Sequence, residues 1–225
     1  MNMLSKTIAL SSVLMLCGCQ LVTIGIPGSG TIVSETRDVD TFSEVSFSGA
    51  GELEIVAGTE VSTCEIECDD NLMEYIKTEV VDGRLKIWTT ENVASTKGVF
   101  ARIGTNKLSK VSISGSAEAD ISGLNEESLE VRISGSGDIV CEGTSQSFKA
   151  VISGSGSIKT AELIADDVDI QISGSGSANV LANKKLNVRV SGSGDVQYAG
   201  SPEVEQSISG SGSVRKSADT DSTEK

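Results

Sequence analysis

Aliphatic and polar residues alternate with a period of two through long stretches of the chain. Over 129–143, LEVRISGSGDIVCEG, the positions Leu129, Val131, Ile133, Gly135, Gly137, Ile139 and Cys141 share one parity. Glu130, Arg132, Ser134, Ser136, Asp138 and Glu142 take the other, and Val140 is the exception. Successive side chains of an extended strand point to opposite faces, so this pattern predicts strand with one buried face. The same parity runs through Ala150, Ile152, Gly154, Gly156 and Ile158, then Val168 to Val180, then Leu186 to Val196.

The alternation is organised by a repeat. The segment Ile/Val-Ser-Gly-Ser-Gly begins at Ile113 (with Ala117 in its last place), Ile133, Ile152, Ile172, Val190 and Ile208, at intervals of 20, 19, 20, 18 and 18 residues. A weaker copy, Phe47 to Gly51, lies 66 residues before the first. Near-constant spacing of a short unit marks a repeat architecture in which stacked neighbours complete each other's core. Two glycines around one serine suit a corner, because glycine tolerates positive φ and close backbone approach. The pattern therefore predicts an all-β fold: a single-stranded parallel β-helix, or β-solenoid, with coils of 18–20 residues. Ser114, Ser134, Ser153, Ser173, Ser191 and Ser209 would form one outer ladder, and Ser116, Ser136, Ser155, Ser175, Ser193 and Ser211 a second. A meander of antiparallel hairpins with SGSG at its turns competes, but leaves unexplained why aliphatic parity continues through both glycines.

The first half is less regular. Phe42 to Val56 alternates as a strand. Asp69-Asp70-Asn71 can cap a short helix over Leu72 to Lys77, so one short helix is expected near 70–77. Val80 to Trp88 reads as a hairpin with Asp82-Gly83 at its turn, and 89–98 as a polar loop. The expected organisation is a signal peptide at 1–18, a tether at 19–33, a head at 34–216 (irregular to 110, repeats from 111) and a disordered tail at 217–225.

The N-terminus carries an address. Lys6 precedes the apolar run Ile8 to Leu16, which is too short to span a bilayer and fits the h-region of a secretory signal. Leu16-Cys17-Gly18-Cys19 resembles the bacterial lipoprotein signal, with Cys19 as the acylated residue and mature N-terminus. Gln20 follows rather than the Asp associated with inner-membrane retention, so the expected location is the outer membrane of a Gram-negative bacterium. The membrane contact is then the lipid, not the fold; the sequence leaves open which face of that membrane.

Composition narrows the chemistry. Eighteen Lys and Arg face thirty-two Asp and Glu, a formal net charge of −14. That balance removes the counterion-release drive for nucleic-acid binding. The absence of histidine closes His-based triads, general bases and His-ligated metals, and we expect no cofactor and no metal. Glu118 with Asp120, and Asp166-Asp167 with Asp169, are the carboxylates that could serve glycoside hydrolysis, but Tyr75, Trp88 and Tyr198 are isolated, and solvated surface charge is the better reading. The SGSGD copies at Asp138 and Asp195 are similar to Gly-rich calcium repeats, yet the intervening copies have Ser157 and Ser177 there. A phosphate cradle needs a following helix, where here a strand follows. Cys64 and Cys68, four apart on one strand, lie too far apart for a disulfide. A bridge from either to Cys141 and three unpaired buried thiols both fit the sequence.

Taken in order, Gly28-Ser29-Gly30, Ser34 to Asp38, Phe42, Phe47 to Ile55, Asp69 to Leu72, Ile76 to Glu79, Asp82 to Ile87 and the SGSG series resemble the auto-transporter adhesin head, or GIN, domain common in bacterial lipoproteins. The likeness spans about 28–214. It implies an all-β, solenoid-like fold, a surface role and no catalytic residues. The expectation is a non-catalytic envelope lipoprotein that binds or scaffolds surface polysaccharide or envelope proteins, with self-association through an exposed terminal coil. The alternative is a carboxylate-dependent polysaccharide-processing enzyme on a β-helix.

Overall fold

The computed structural model describes residues 25–217. Fifteen strands and one 3-10 turn follow in chain order: β1 (Ile26–Pro27), β2 (Ile32–Arg37), β3 (Glu44–Ala57), β4 (Thr63–Asp69), the turn Asp70–Tyr75, β5 (Ile76–Val81), β6 (Arg84–Thr89), β7 (Val93–Ala94), β8 (Val99–Thr105), β9 (Lys110–Gly135), β10 (Asp138–Gly154), β11 (Ser157–Gly174), β12 (Ser177–Gly192), β13 (Asp195–Gly200), β14 (Glu203–Gly210) and β15 (Ser213–Lys216). The fold is all-β, as the alternation predicts. Residues 26–33, read from sequence as tether, carry β1, which pairs with β7, and the start of β2. The lipid-attachment residue Cys19, the signal segment and most of the tail lie outside the described residues.

From β9 onward the repeats pair in parallel and in register. Ile152 stands between Ile133 and Ile172, Ser153 between Ser134 and Ser173, and Gly154 between Gly135 and Gly174. The register continues through Val190 to Ile208. The weak copy in β3 pairs with β9, placing Phe47 on Ile113 and Gly49 on Gly115. An insertion of about fifty residues, β4 to β8, therefore separates two repeats that touch in space. An antiparallel meander is excluded for this region.

Each repeat, or rung, bends at its glycines for a definite reason. The backbone N–H of each corner serine donates to the carbonyl of the first corner glycine one rung below: Ser155 N to Gly135 O at 2.9 Å, Ser175 N to Gly154 O at 2.9 Å, Ser193 N to Gly174 O at 2.8 Å. The second glycine's carbonyl accepts likewise, as from Ser177 N to Gly156 O at 3.0 Å. At the first glycine φ is +128° in Gly154, and a Cβ there would sit 2.3 Å from Gly135 O. The backbones of adjacent rungs thus come within hydrogen-bond reach only where no side chain intervenes.

Between corners the inward columns are aliphatic and closed. Ile113, Ile133, Ile152, Ile172 and Val190 form one, none more than 3% exposed, and Leu129, Phe148, Val168 and Leu186 another. Each fully buried side chain contributes roughly 1.5–3 kcal/mol. Outward, one column reads Glu44, Lys110, Glu130, Lys149, Asp169, Asn187, Glu205, so acid and base alternate up the stack until Asn187.

The expectation of one purely parallel solenoid across 34–216 needs correction, because the sheet is mixed. β2 pairs antiparallel with β4, β4 with β8, and β5 with β6. The Asp82-Gly83 turn, with φ of 53° and 73°, has the positive-φ pair that fits a tight hairpin, and it reverses the chain where an SGSG corner would wind it onward. The short helix is also revised. Residues 70–75 form a 3-10 turn, and Asp69 gives it no side-chain cap.

Replacing Gly154 with Ala should lower stability by about 2 kcal/mol or more, through the carbonyl clash and the disfavoured φ. Chemical denaturation followed by far-ultraviolet dichroism reads this directly. An unchanged midpoint would show that the corner yields.

Candidate functional site

The carboxylates suggested by sequence do not assemble into a catalytic pair. Glu118 and Asp120 are exposed on β9, while Asp166, Asp167 and Asp169 lie on β11. Glu118 stands in a column of acids between Glu52 and Asp138. Asp166 pairs with Lys184 at 2.8 Å. The Lys184 hydrogen bond and charge hold its carboxyl below the ordinary value, opposite to what a general acid needs. Asp169 faces Arg189 at 3.5 Å, and Asp167 lies exposed beside Lys185 in register. Tyr198, on β13, is at the far end of the stack from Tyr75 and Trp88, so no aromatic platform joins the three.

Asp138 and Asp195 share one outward column, but Ser157 and Ser177 stand between them. Three strand spacings, about 14 Å, separate the carboxylates, too far to share one calcium ion. Asp138 is instead paired with Lys159 at 3.2 Å. Among the described residues no group of three or more Cys, Asp or Glu is placed to hold a metal.

Cys64, Cys68 and Cys141 are free and buried, which settles the choice the sequence left open in favour of unpaired thiols. Burial pushes Cys64 and Cys68 up to about 11 and Cys141 up to about 12. Neutral thiols in an apolar setting are poor nucleophiles, so these act as small core residues.

One built polar cluster escaped the sequence reading. The Asp69 side chain is fully buried. Its Oδ1 accepts from Gly30 N at 2.8 Å and Thr96 Oγ1 at 2.7 Å, and its Oδ2 from Ser95 Oγ at 2.6 Å and Thr96 N at 2.9 Å. Asn71 joins it, donating from Nδ2 to Pro27 O and accepting from Ser29 N, both at 2.9 Å. A Cβ on Gly28 would lie 2.4 Å from the Asp69 carboxyl. The Gly28-Ser29-Gly30 and Asp69-Asp70-Asn71 segments, 41 residues apart, thus form one clamp over the 95–96 loop. Four donors satisfy the carboxylate, so it is a structural tie. The signal was present as two Gly- and Asp-rich motifs, but nothing in their spacing links them.

The remaining candidate surface is the outside of the stack. Both serine ladders are exposed. An open groove of about 370 Å³ runs along Ser153, Ser173 and Ser191, flanked by Gln171 and Arg189. A second, of about 320 Å³, follows Ser157, Ser177 and Asp195, flanked by Lys159, Asn179 and Gln197. In the first, in-register stacking lines up one serine per rung; in the second, Ser157 and Ser177 are followed by Asp195.

The sequence profile of the family described as "Putative auto-transporter adhesin, head GIN domain" matches residues 41–202. This chain belongs to that family. Among solved structures, GIN-domain residues here resemble a putative adhesin from Bacteroides fragilis, at 22% identity and TM-score 0.69, over 86% of this chain and 100% of that one. A putative lipid binding protein from Parabacteroides distasonis matches at 21% identity and TM-score 0.60, over 86% and 99%. A putative adhesin from Parabacteroides merdae matches at 20% and 0.54, over 86% and 99%. These likenesses establish a shared fold. No curated protein matches the chain.

The donors around Asp69, with Ser95 first, hold its carboxyl well below the usual range against the opposing effect of burial. Its folded-state value lies below its unfolded value of about 3.9. The stability it contributes is therefore fully present above about pH 4 and is lost as pH falls toward the folded value. Asp69→Asn should flatten the loss of stability below pH 4 and lower stability at pH 7. A variant whose acid profile matches the parent would remove Asp69 from that role.

Proposed function

We propose that the protein is a non-catalytic, lipid-anchored contact module of the bacterial outer membrane, holding extended surface polymers or envelope proteins against the outside of its stack. Residues 110–216 act as a wound solenoid whose two serine-lined grooves are the contact surface. The observation that carries this reading is the repetition of serine: a polymer with its own short period meets Ser134, Ser153, Ser173, Ser191 and Ser209 in register, one at each rung of about 4.8 Å. The net charge of −14 favours uncharged or amino-bearing polymers over polyanions. The Parabacteroides relative named for lipid binding suggests a second class of ligand, but the inward columns here are filled by their own side chains, which favours the exterior and a polar ligand.

An array of bacterial envelope polysaccharides probed with the purified protein tests the reading. Binding should weaken at least about tenfold on Arg189→Glu combined with Gln171→Ala, which opposes charge and removes hydrogen bonds within one groove. Turnover of any polymer, abolished by Asp167→Asn or Asp169→Asn, would replace this reading with the carboxylate enzyme.

The anchor has its own test. Cys19→Ser should abolish metabolic palmitate labelling and release the protein from the membrane fraction. Undiminished label would refute Cys19 as the acylated residue.

A further inference from the structure

The stack is finished differently at its two ends. The path of hydrogen-bonded strands runs from β2 at one end to β15 at the other. The β2 end is closed by antiparallel strands, by the Asp69 clamp and by charged edge residues such as the Glu35–Arg37 pair. The other end is simply the last rung. β14 pairs only with β12, and β15 only with β13, so among the described residues their second edges face no strand. Ile208 ends the column in which Val190 is 3% exposed, and it is itself 39% exposed. Val204 and Val214 are only partly buried there. An open edge with exposed aliphatic residues is a template for another strand.

We propose that this end binds a second copy of the chain, two terminal rungs abutting across a two-fold axis near Ser211. The rung is two arms joined at the Gly210–Gly212 corner. A two-fold that bisects the corner lays β14 of each copy antiparallel to β15 of the other. Ile208 then falls opposite Val214, so the exposed apolar side chains cover each other. Gln206, which ends the inward column of Val188, falls opposite Lys216. On the outward face Glu205, near the acidic start of β14, trades its long 3.7 Å contact with Lys185 for a diagonal neighbour in Arg215 of β15. The arrangement is self-complementary, as an isologous interface must be. A single-rung contact is smaller than the ~1,200 Å² of stable complexes, so the dimer is weak, with a dissociation constant in about the micromolar range or above.

The consequence for function rests on the lipid-anchor reading. The chain enters past the Asp69 clamp into β2, the tenth strand of the path counted from β15, about 43 Å away at ~4.8 Å spacing. Two copies joined tip to tip point their entry ends in opposite directions, which suits a bridge between two membranes rather than a pair on one.

Sedimentation equilibrium of the full chain carrying Cys17→Ser and Cys19→Ser, in mild detergent, tests the contact without the anchor. A reversible monomer–dimer equilibrium is expected, weakened at least tenfold by Ile208→Lys. Glu205→Arg with Arg215→Glu together should associate better than either alone. Should Ile208→Lys fail to fold, Ser211→Cys decides: a short bis-maleimide should join two copies through residue 211 and leave Ser136→Cys, in the middle of the stack, monomeric. A monomer at all concentrations, or association untouched by Ile208→Lys with no link through residue 211, overturns the proposal and leaves this end to residues 218–225 or to a different protein. Lipidated protein on phosphatidylethanolamine–phosphatidylglycerol vesicles should aggregate them and Ile208→Lys should not. Failure here alone, with the solution dimer intact, removes the bridge between membranes but neither the dimer nor the anchor, which the palmitate label tests.

Discussion

The structure depends on a hydrogen bond made where the chain turns. At each corner a glycine carbonyl points at the next rung and accepts its serine N–H at 2.8–3.0 Å. Polypeptide usually loses its ladder bonds at a bend. Here the ladder passes through it, and the condition is that no Cβ occupies the space between the two backbones. Six glycines from Gly115 to Gly210 meet that condition, each with its Cβ position 2.1–2.4 Å from the glycine carbonyl below and all at positive φ. The second corner position is less strict, since Ala117 occupies it once and is fully buried. With backbones locked at the corners, register follows, and with register come the closed aliphatic columns and the aligned rows outside.

Much of this was legible in the chain. Parity marked Leu129 to Cys141, Ile152, Val168 to Ile172 and Leu186 to Val190 as inward, with Val140 the exposed exception, but passed over the buried Phe148, Leu163, Ala165 and Ala182. The repeat marked which residues stack, and the Asp82-Gly83 pair marked its hairpin. These are local signals, fixed by side-chain period and by φ. What was not legible depends on contacts between distant segments. The weak copy at Phe47 sits directly on Ile113, but no pattern says that fifty intervening residues loop out. The antiparallel run of β2, β4 and β8 is set by which edges remain free, and alternation is the same in parallel and antiparallel strands. Asp69 looked like a helix cap because Asp followed by Asp-Asn often is one. Its partners, Gly30 and Thr96, are supplied from 39 residues before and 27 after.

The candidate site illustrates the same division. Acidic pairs close in sequence invited a catalytic reading, yet stacking disperses them along an exposed face or pairs them with Lys184 and Arg189. The buried thiols are insulated by the same columns that stabilise the core. What remains distinctive outside is regularity rather than any single reactive group, in keeping with a family described as adhesin heads rather than as enzymes.

The outward column from Glu44 to Asp169 alternates in sign, and this restricts how such a protein can change length. Loss of the rung that carries Glu130 would set Lys110 beneath Lys149, cation on cation. Loss of the next rung as well would set Lys110 beneath Asp169 and restore attraction. Gene events that add or remove repeats within this stretch are therefore tolerated in twos and penalised in ones, an even-number rule written in surface charge although every rung has the same backbone.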